Sequence, residues 1–296
     1  MVASLHHPAG SLATDTYELE LTPERAGWAY SGLRILDLPA GGSYEWRTGD
    51  DEMAVLSLAG GGCALECDDV KAELTGRASV FDGPSDFVYA PRDSSVRVQA
   101  ASPIRLALVS ARCENRLEAR YVPAAEVPVE LRGAGACSRQ VHNFCAAGVF
   151  PADRLIAVEV ITPAGNWSSY PPHKHDEDLP GQESELEEIY YFDLRSEAIH
   201  AGGDAGAFGF HRVYGTAERP VDVLAAVRPG DVVCVPHGWH GPSTAPPGYD
   251  LYYLNVMAGP SADRAWLIRD DPDYGWIRGQ WPDQDVDPRL PMGGAR

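Results

Sequence analysis

No apolar run in this 296-residue chain approaches the roughly 20 residues that cross a bilayer as a helix, so a helical membrane protein is not expected. Basic residues are scarce as well. The 24 Lys and Arg stand against 43 Asp and Glu, a net charge of −19, and no Lys/Arg-rich segment offsets the repulsion. Neither nucleic acid nor an anionic membrane is therefore expected as a partner. The six cysteines (Cys63, Cys67, Cys113, Cys137, Cys145, Cys234) have irregular spacing, and the start of the chain lacks the basic, apolar and small-residue order of a secretory signal. A reduced, cytoplasmic protein is the expectation. Cys63 and Cys67 have no second Cys or His pair near them, so they read as buried thiols rather than a metal clip.

Sustained helical periodicity is missing too. Short runs rich in Val, Ile, Leu, Tyr and Phe recur between Gly, Pro, Asp and Ser, as in Met53 to Leu58, Ile104 to Val109, Leu155 to Ile161 and Leu251 to Val256. This is an all-β pattern. The halves share punctuation: Leu38-Pro39-Ala40-Gly41-Gly42 parallels Ile161-Thr162-Pro163-Ala164-Gly165, and Tyr89-Ala90-Pro91 parallels Cys234-Val235-Pro236. Two similar β-barrels in tandem are expected, an N-terminal one over residues 1–136 and a C-terminal one over 137–296. With 44% hydrophobic residues the chain can bury a core in each. Where the second half carries a His cluster the first half has no imidazole, so a metal is expected in the second barrel only.

That cluster begins at Pro171-Pro172-His173-Lys174-His175. On an extended strand, residues two apart share a face, so His173 and His175 present paired imidazoles while Lys174 points away. A carboxylate from Glu187-Glu188-Ile189-Tyr190-Tyr191-Phe192 and an imidazole from Pro236-His237-Gly238-Trp239-His240 would complete a set of three His and one Glu. Alternation allows only one of Glu187 and Glu188 to point inward. His6, His7, His142, His200 and His211 lack comparable spacing. Between the ligand strands, Asp176 to Glu185 carries a Pro-Gly pair and several acids, which reads as a solvated loop placed to act as a flap over the metal.

Gly165 to Asp176, Leu186 to Phe192 and Pro229 to Pro242 together resemble the cupin signature. More narrowly they are similar to the 5-deoxy-glucuronate isomerases of myo-inositol degradation, relatives of the 5-keto-4-deoxyuronate isomerases. Tyr252 to Pro260 and Arg139 to Phe144 fit the same family. The resemblance implies a bicupin and one divalent metal, held by His173, His175, Glu188 and His240. It also implies aldose–ketose isomerisation of 5-deoxy-glucuronate, a small anionic sugar acid, to 2-deoxy-5-keto-gluconate. Nitrogen and oxygen ligation suits Zn or Mn. The proton shift needs a general base, for which Glu187, a tyrosine, His237 and a metal-bound hydroxide are candidates. Arg212 is the candidate for the substrate carboxylate, with Arg139 a second, and the Tyr190 or Tyr253 hydroxyl for a sugar oxygen. A cupin dioxygenase and a non-enzymatic sugar-binding cupin are the alternative functions, and a homo-oligomer is left open.

Overall fold

The computed structural model describes residues 4–196, 206–261 and 263–293, which leaves His200 outside the described residues. Its strands form two units, each built from a large and a small antiparallel sheet. In the first unit six strands run in the order Arg120–Val122, Phe87–Ala90, Asp51–Gly60, Ile104–Arg112, Ser31–Leu38 and Leu19–Leu21. They face the four strands Ser43–Arg47, Ser95–Ala100, Cys63–Cys67 and Val70–Leu74. Ser95–Ala100 shows the expected alternation: Val96, Val98 and Ala100 are buried while Arg97 and Gln99 are exposed.

In the second unit the large sheet has seven strands, with Glu187–Ser196, Tyr249–Ala258 and Ile156–Thr162 at its centre. The opposing sheet runs Asp222–Val227, Gly209–Tyr214, Trp239–Thr244, His173–Lys174 and Arg269–Asp270. Central strands of both large sheets are buried on both faces, since each meets its small sheet on one side and the other unit on the other. Strand Glu187–Ser196 shows this by parity. Ile189 and Tyr191 join the core between the units, together with Leu33, Ile35 and Leu56 of the first, whereas Tyr190, Phe192 and Leu194 fill the second unit's interior. An interface of that size and apolarity makes the two units one packed body.

The expected boundary at 136/137 does not follow the sheets. Val129–Arg132 already pairs with Arg139–Asn143 in the second unit's large sheet. His6–His7, at the other end of the chain, pairs with Val232–Val235 and closes the opposite edge of that sheet. Near the C-terminus, the Met292 amide donates to the Gln140 side chain at 2.7 Å. The second unit is thus assembled from both ends of the sequence. The first unit is the stretch between them, with strands from Leu19 to Val122.

Candidate metal centre

Backbone pairing brings the first two candidate ligands together. The short strand His173–Lys174 lies antiparallel to Trp239–Thr244 with His173 directly opposite His240, and their rings are 4.4 Å apart. His175, two residues on, returns to the same face, 4.7 Å from the His240 ring. Glu188 arrives from the large sheet. Its Oε2 is 3.1 Å from His175 Nε2 and 3.0 Å from His240 Nε2. The three imidazoles each offer a nitrogen within 4.8 Å of the others, and all four side chains are buried.

The tautomers follow from the outer contacts. His173 Nδ1 faces the Pro171 carbonyl at 3.4 Å, His175 Nδ1 the Leu186 carbonyl at 3.3 Å and His240 Nδ1 the Gly238 carbonyl at 3.4 Å. With Nδ1–H aimed at a carbonyl on every ring, each Nε2 lone pair is turned to the centre, the usual way a protein orients imidazole ligands. Burial, then His240 and His175, push the His173 pKa well below its ordinary value. Burial alone would raise Glu188, but His240 and His175 outweigh it and hold the carboxyl well below the usual range. Three imidazoles and a carboxylate, all dry and converging, are a donor set that fits a divalent cation.

A cavity of about 220 Å³ opens beside His173. Tyr190 and Tyr253 line it, and both hydroxyls lie 3.1 Å from Ser169 Oγ, which bridges them. Arg132, Arg139, Arg278 and Asn255 complete its polar lining, and no Asp or Glu takes part. Tyr252, by contrast, points to the interface between the units, where its hydroxyl donates to Glu159 of its own unit at 2.8 Å. Beneath Tyr190 the buried His211 is 4.4 Å ring to ring and bonded through Nδ1 to Ser243 Oγ at 2.8 Å. Burial brings its pKa down to about 3, so it is a neutral packing group there.

Three sequence expectations are corrected. Glu187 does not reach the site: its carboxylate accepts from the amides of Ala29, Tyr30 and Ser31 at 2.6, 2.8 and 2.9 Å, on the opposite face of its strand from Glu188. His237 sits in a separate groove with Leu5, His6 and Val221. Arg212 is exposed on the outer face of the small sheet, 4.2 Å over the Tyr214 ring, because His211 and Val213 take the inward positions of that strand. The arginines of the cavity are others. Of these, Arg139 is readable from its strand, whose alternate residue Val141 also lines the cavity. Asn255 had a signal as well, as a polar residue inside the apolar run Leu251 to Ala258.

The segment 176–185 is solvent-exposed over Pro180 to Gln182, as expected, but it is a strand pair rather than an irregular loop. Asp176–Leu179 pairs with Glu183–Glu185 as a hairpin folded over Lys174. Lys174 Nζ bonds Asp176 at 2.7 Å, Glu183 at 2.8 Å and also Glu177, so the excess of acid is answered locally. Ser184 ties the hairpin to the chain beyond it through the Ala265 carbonyl at 2.5 Å and the Leu267 amide at 3.1 Å.

Comparison with known proteins places this architecture. The model of the KduI/IolB family matches residues 5–277. The chain belongs to the KduI/IolB family. One relative, described as a 5-deoxy-glucuronate isomerase of Geobacillus thermodenitrificans, is 43% identical over 261 residues, covering 88% of this chain and 90% of its own. A solved IolB-like protein from Salmonella typhimurium superposes with a TM-score of 0.82 at 35% identity, over 93% of this chain and 99% of its own. An oxalate decarboxylase from Lactobacillus farciminis matches with a TM-score of 0.63 at 12% identity, over 91% and 89%, a likeness of fold alone. The KduI/IolB chain described here is an all-β bicupin, and its buried histidine cluster lies in the second cupin. No helix among the described residues is long and apolar enough to cross a membrane.

Proposed function

We propose that this chain is a divalent-metal-dependent 5-deoxy-glucuronate isomerase, producing 2-deoxy-5-keto-gluconate by aldose–ketose isomerisation. The observation that carries the reading is the convergence of His173, His175, His240 and Glu188 beside a cavity with three arginines and no carboxylate in its lining. In a chain of net charge −19, that lining selects for a small anion. The cavity, about 220 Å³, falls below the ~300–1,000 Å³ of sites for drug-sized ligands, in keeping with a sugar acid.

The reaction moves a proton from the hydroxyl-bearing carbon to the neighbouring aldehyde carbon, while the hydroxyl proton is relocated between the two oxygens. The three histidines and Glu188 would hold a divalent cation, with Zn or Mn suited to such ligands, and it would supply Lewis acidity to the isomerisation. The protein's own residues orient and shield. The Tyr190 and Tyr253 hydroxyls, held in place by Ser169, are placed to hydrogen-bond substrate oxygens. Tyr190, Tyr253 and Val160 wall the cavity, so a reactive intermediate is kept from bulk water. With Glu187 and His237 elsewhere, Tyr190 and Tyr253 are the protein side chains left among the sequence candidates for handling the proton.

The six cysteines are free thiols, which supports a cytoplasmic location. The reading includes a homo-oligomer, which sedimentation velocity would test. The direct test of function is anaerobic incubation of metal-loaded protein with 5-deoxy-glucuronate, followed by carbon NMR. Loss of the aldehyde resonance with gain of a ketone is expected. Turnover that requires oxygen would replace this reading with the dioxygenase.

A further inference from the structure

Two of the three arginines at the cavity are already neutralised. Arg132 forms a fork with Glu130 at 2.9 and 2.8 Å, and Arg278 one with Asp270 at 2.5 and 2.7 Å. Arg139 is different. It is 5% exposed, yet among the described residues no carboxylate lies within ion-pair distance of its guanidinium. One nitrogen donates to the Cys137 carbonyl at 3.0 Å and the group stacks 5.3 Å over the Trp281 ring. Burial brings its pKa down to about 10, and Arg132 and Arg278 add repulsion. A buried cation kept without a counter-charge is costly to the free protein, and an incoming anion relieves that cost.

A second, independent feature points the same way. Asn255 lines the same cavity, is 3% exposed, and its amide nitrogen makes no hydrogen bond. An unused buried donor and an unpaired guanidinium in one acid-free chamber form a ready site for a carboxylate and its neighbouring oxygens.

We propose that Arg139 receives the substrate carboxylate as a two-pronged ion pair, with the Asn255 amide donating to a substrate oxygen, and so fixes which end of the sugar acid meets the histidine cluster. The identity of the acid rests on the isomerase reading; its charge does not. Carboxylate and aldehyde stand at opposite ends of an open-chain uronate. Holding one at Arg139 therefore presents the other, with its adjacent hydroxyl, to the side of the cavity where His173 lies.

The test compares matched ligands on metal-loaded protein: D-glucuronate against D-glucose by calorimetry, and 5-deoxy-glucuronate against 5-deoxy-glucose in turnover. The wild type should prefer each acid. Arg139→Met should weaken glucuronate about 100-fold while leaving glucose unchanged, the size expected for removing one partner of a buried charge pair. Arg139→Lys, which keeps the charge and loses the fork, should raise KM with kcat largely retained, and carries the test should the Met variant fold poorly. Equal weakening of acid and neutral sugar, an intact preference in Arg139→Met, or no preference in the wild type would each overturn the proposal. An Arg139-dependent preference for glucuronate without isomerisation of 5-deoxy-glucuronate would uphold the anion site and remove the isomerase reading; isomerisation whose preference survives in Arg139→Met would do the opposite.

Discussion

Glu52 and Glu187 hold the two units together by the same means in opposite directions. Glu52, on the first unit's strand Asp51–Gly60, accepts from the amides of Asp153, Arg154 and Leu155 at 2.8, 2.5 and 2.6 Å, just before the second unit's strand Ile156–Thr162. Glu187, on the second unit's strand Glu187–Ser196, accepts from Ala29, Tyr30 and Ser31 where the first unit's strand Ser31–Leu38 begins. Each carboxylate caps the entry of a strand in the other unit. The reciprocity extends to the strands that carry them: both occupy central places in their large sheets. Neighbouring residues in one strand thus serve different tasks, Glu187 joining the units and Glu188 facing the histidines.

Glu187→Ala should destabilise the fold by about 1–3 kcal/mol, because three amides lose a charged acceptor and part of the cost is recovered by water at the exposed Ala29 amide. Urea denaturation measures this. Metal content of the folded variant should equal that of the wild type. Loss of metal without loss of stability would show that the residue acts at the site after all.

Glu188→Gln should do the reverse in the metal assay. Removing the one anionic member of the donor set should weaken retention of a divalent ion about 100-fold or more, read by elemental analysis after dialysis against a competing chelator. Chelation of the wild type should abolish isomerisation, with recovery on adding the ion back. The core between the units and the core of the first unit do not involve the site, so far-ultraviolet circular dichroism should change little. Full activity in extensively chelated protein would remove the metal from the mechanism.

How much of this could be read from the chain depended on distance along it. The His173/His175 pair and the Glu187/Glu188 parity are local consequences of strand alternation, and the second parity choice needed only to know which face is inward. The pairing of His173 with His240, and of His6–His7 with Val232–Val235, is a long-range register that no local pattern specifies. Arg212 misled for a physical reason. Phe210, Arg212 and Tyr214 look like the apolar face of their strand, yet Phe210 is 46% exposed and the face turned inward is that of His211 and Val213. The acidic 176–185 segment misled because the neutralising Lys174 lies just outside it.

A buried pair between the units makes a pH prediction. Glu159 of the second unit contacts Arg77 of the first and His142, 3.0 Å away, with both carboxylate partners buried. Burial alone would raise its pKa; Arg77 and His142 override it and hold it at about 2. The folded pKa is thus below the unfolded one of about 4.3, so the unfolded state binds more protons between them. The stabilisation is present above the unfolded value and is lost as pH falls toward 2, a contribution on the order of 3 kcal/mol. Urea midpoints of the wild type should fall more steeply between pH 5 and about 2.5 than those of Glu159→Gln. Parallel slopes would mean that other carboxylates govern acid unfolding.

The hairpin after His175 gives the last prediction, and it separates a brace from a flap. Glu183 is buried, 1% exposed, and accepts from Lys174 Nζ and from the amides of Asp176 and Glu177 at 2.9 and 3.2 Å. Lys174 lies between two members of the candidate donor set, His173 and His175, so whatever fixes Lys174 also fixes the direction of the flanking imidazoles. Lys174→Met would leave buried Glu183 with only the Arg269 guanidinium at 3.5 Å to balance its charge, at a cost of about 1–3 kcal/mol. Metal retention should weaken with it. Glu183→Gln added to Lys174→Met should recover part of the stability, since the stranded charge is gone, and the double-mutant cycle should show a coupling of about 1–3 kcal/mol. A flap would behave otherwise: Lys174→Met would leave stability and metal content unchanged and alter only turnover. Independent, additive effects of the two substitutions would discard the brace.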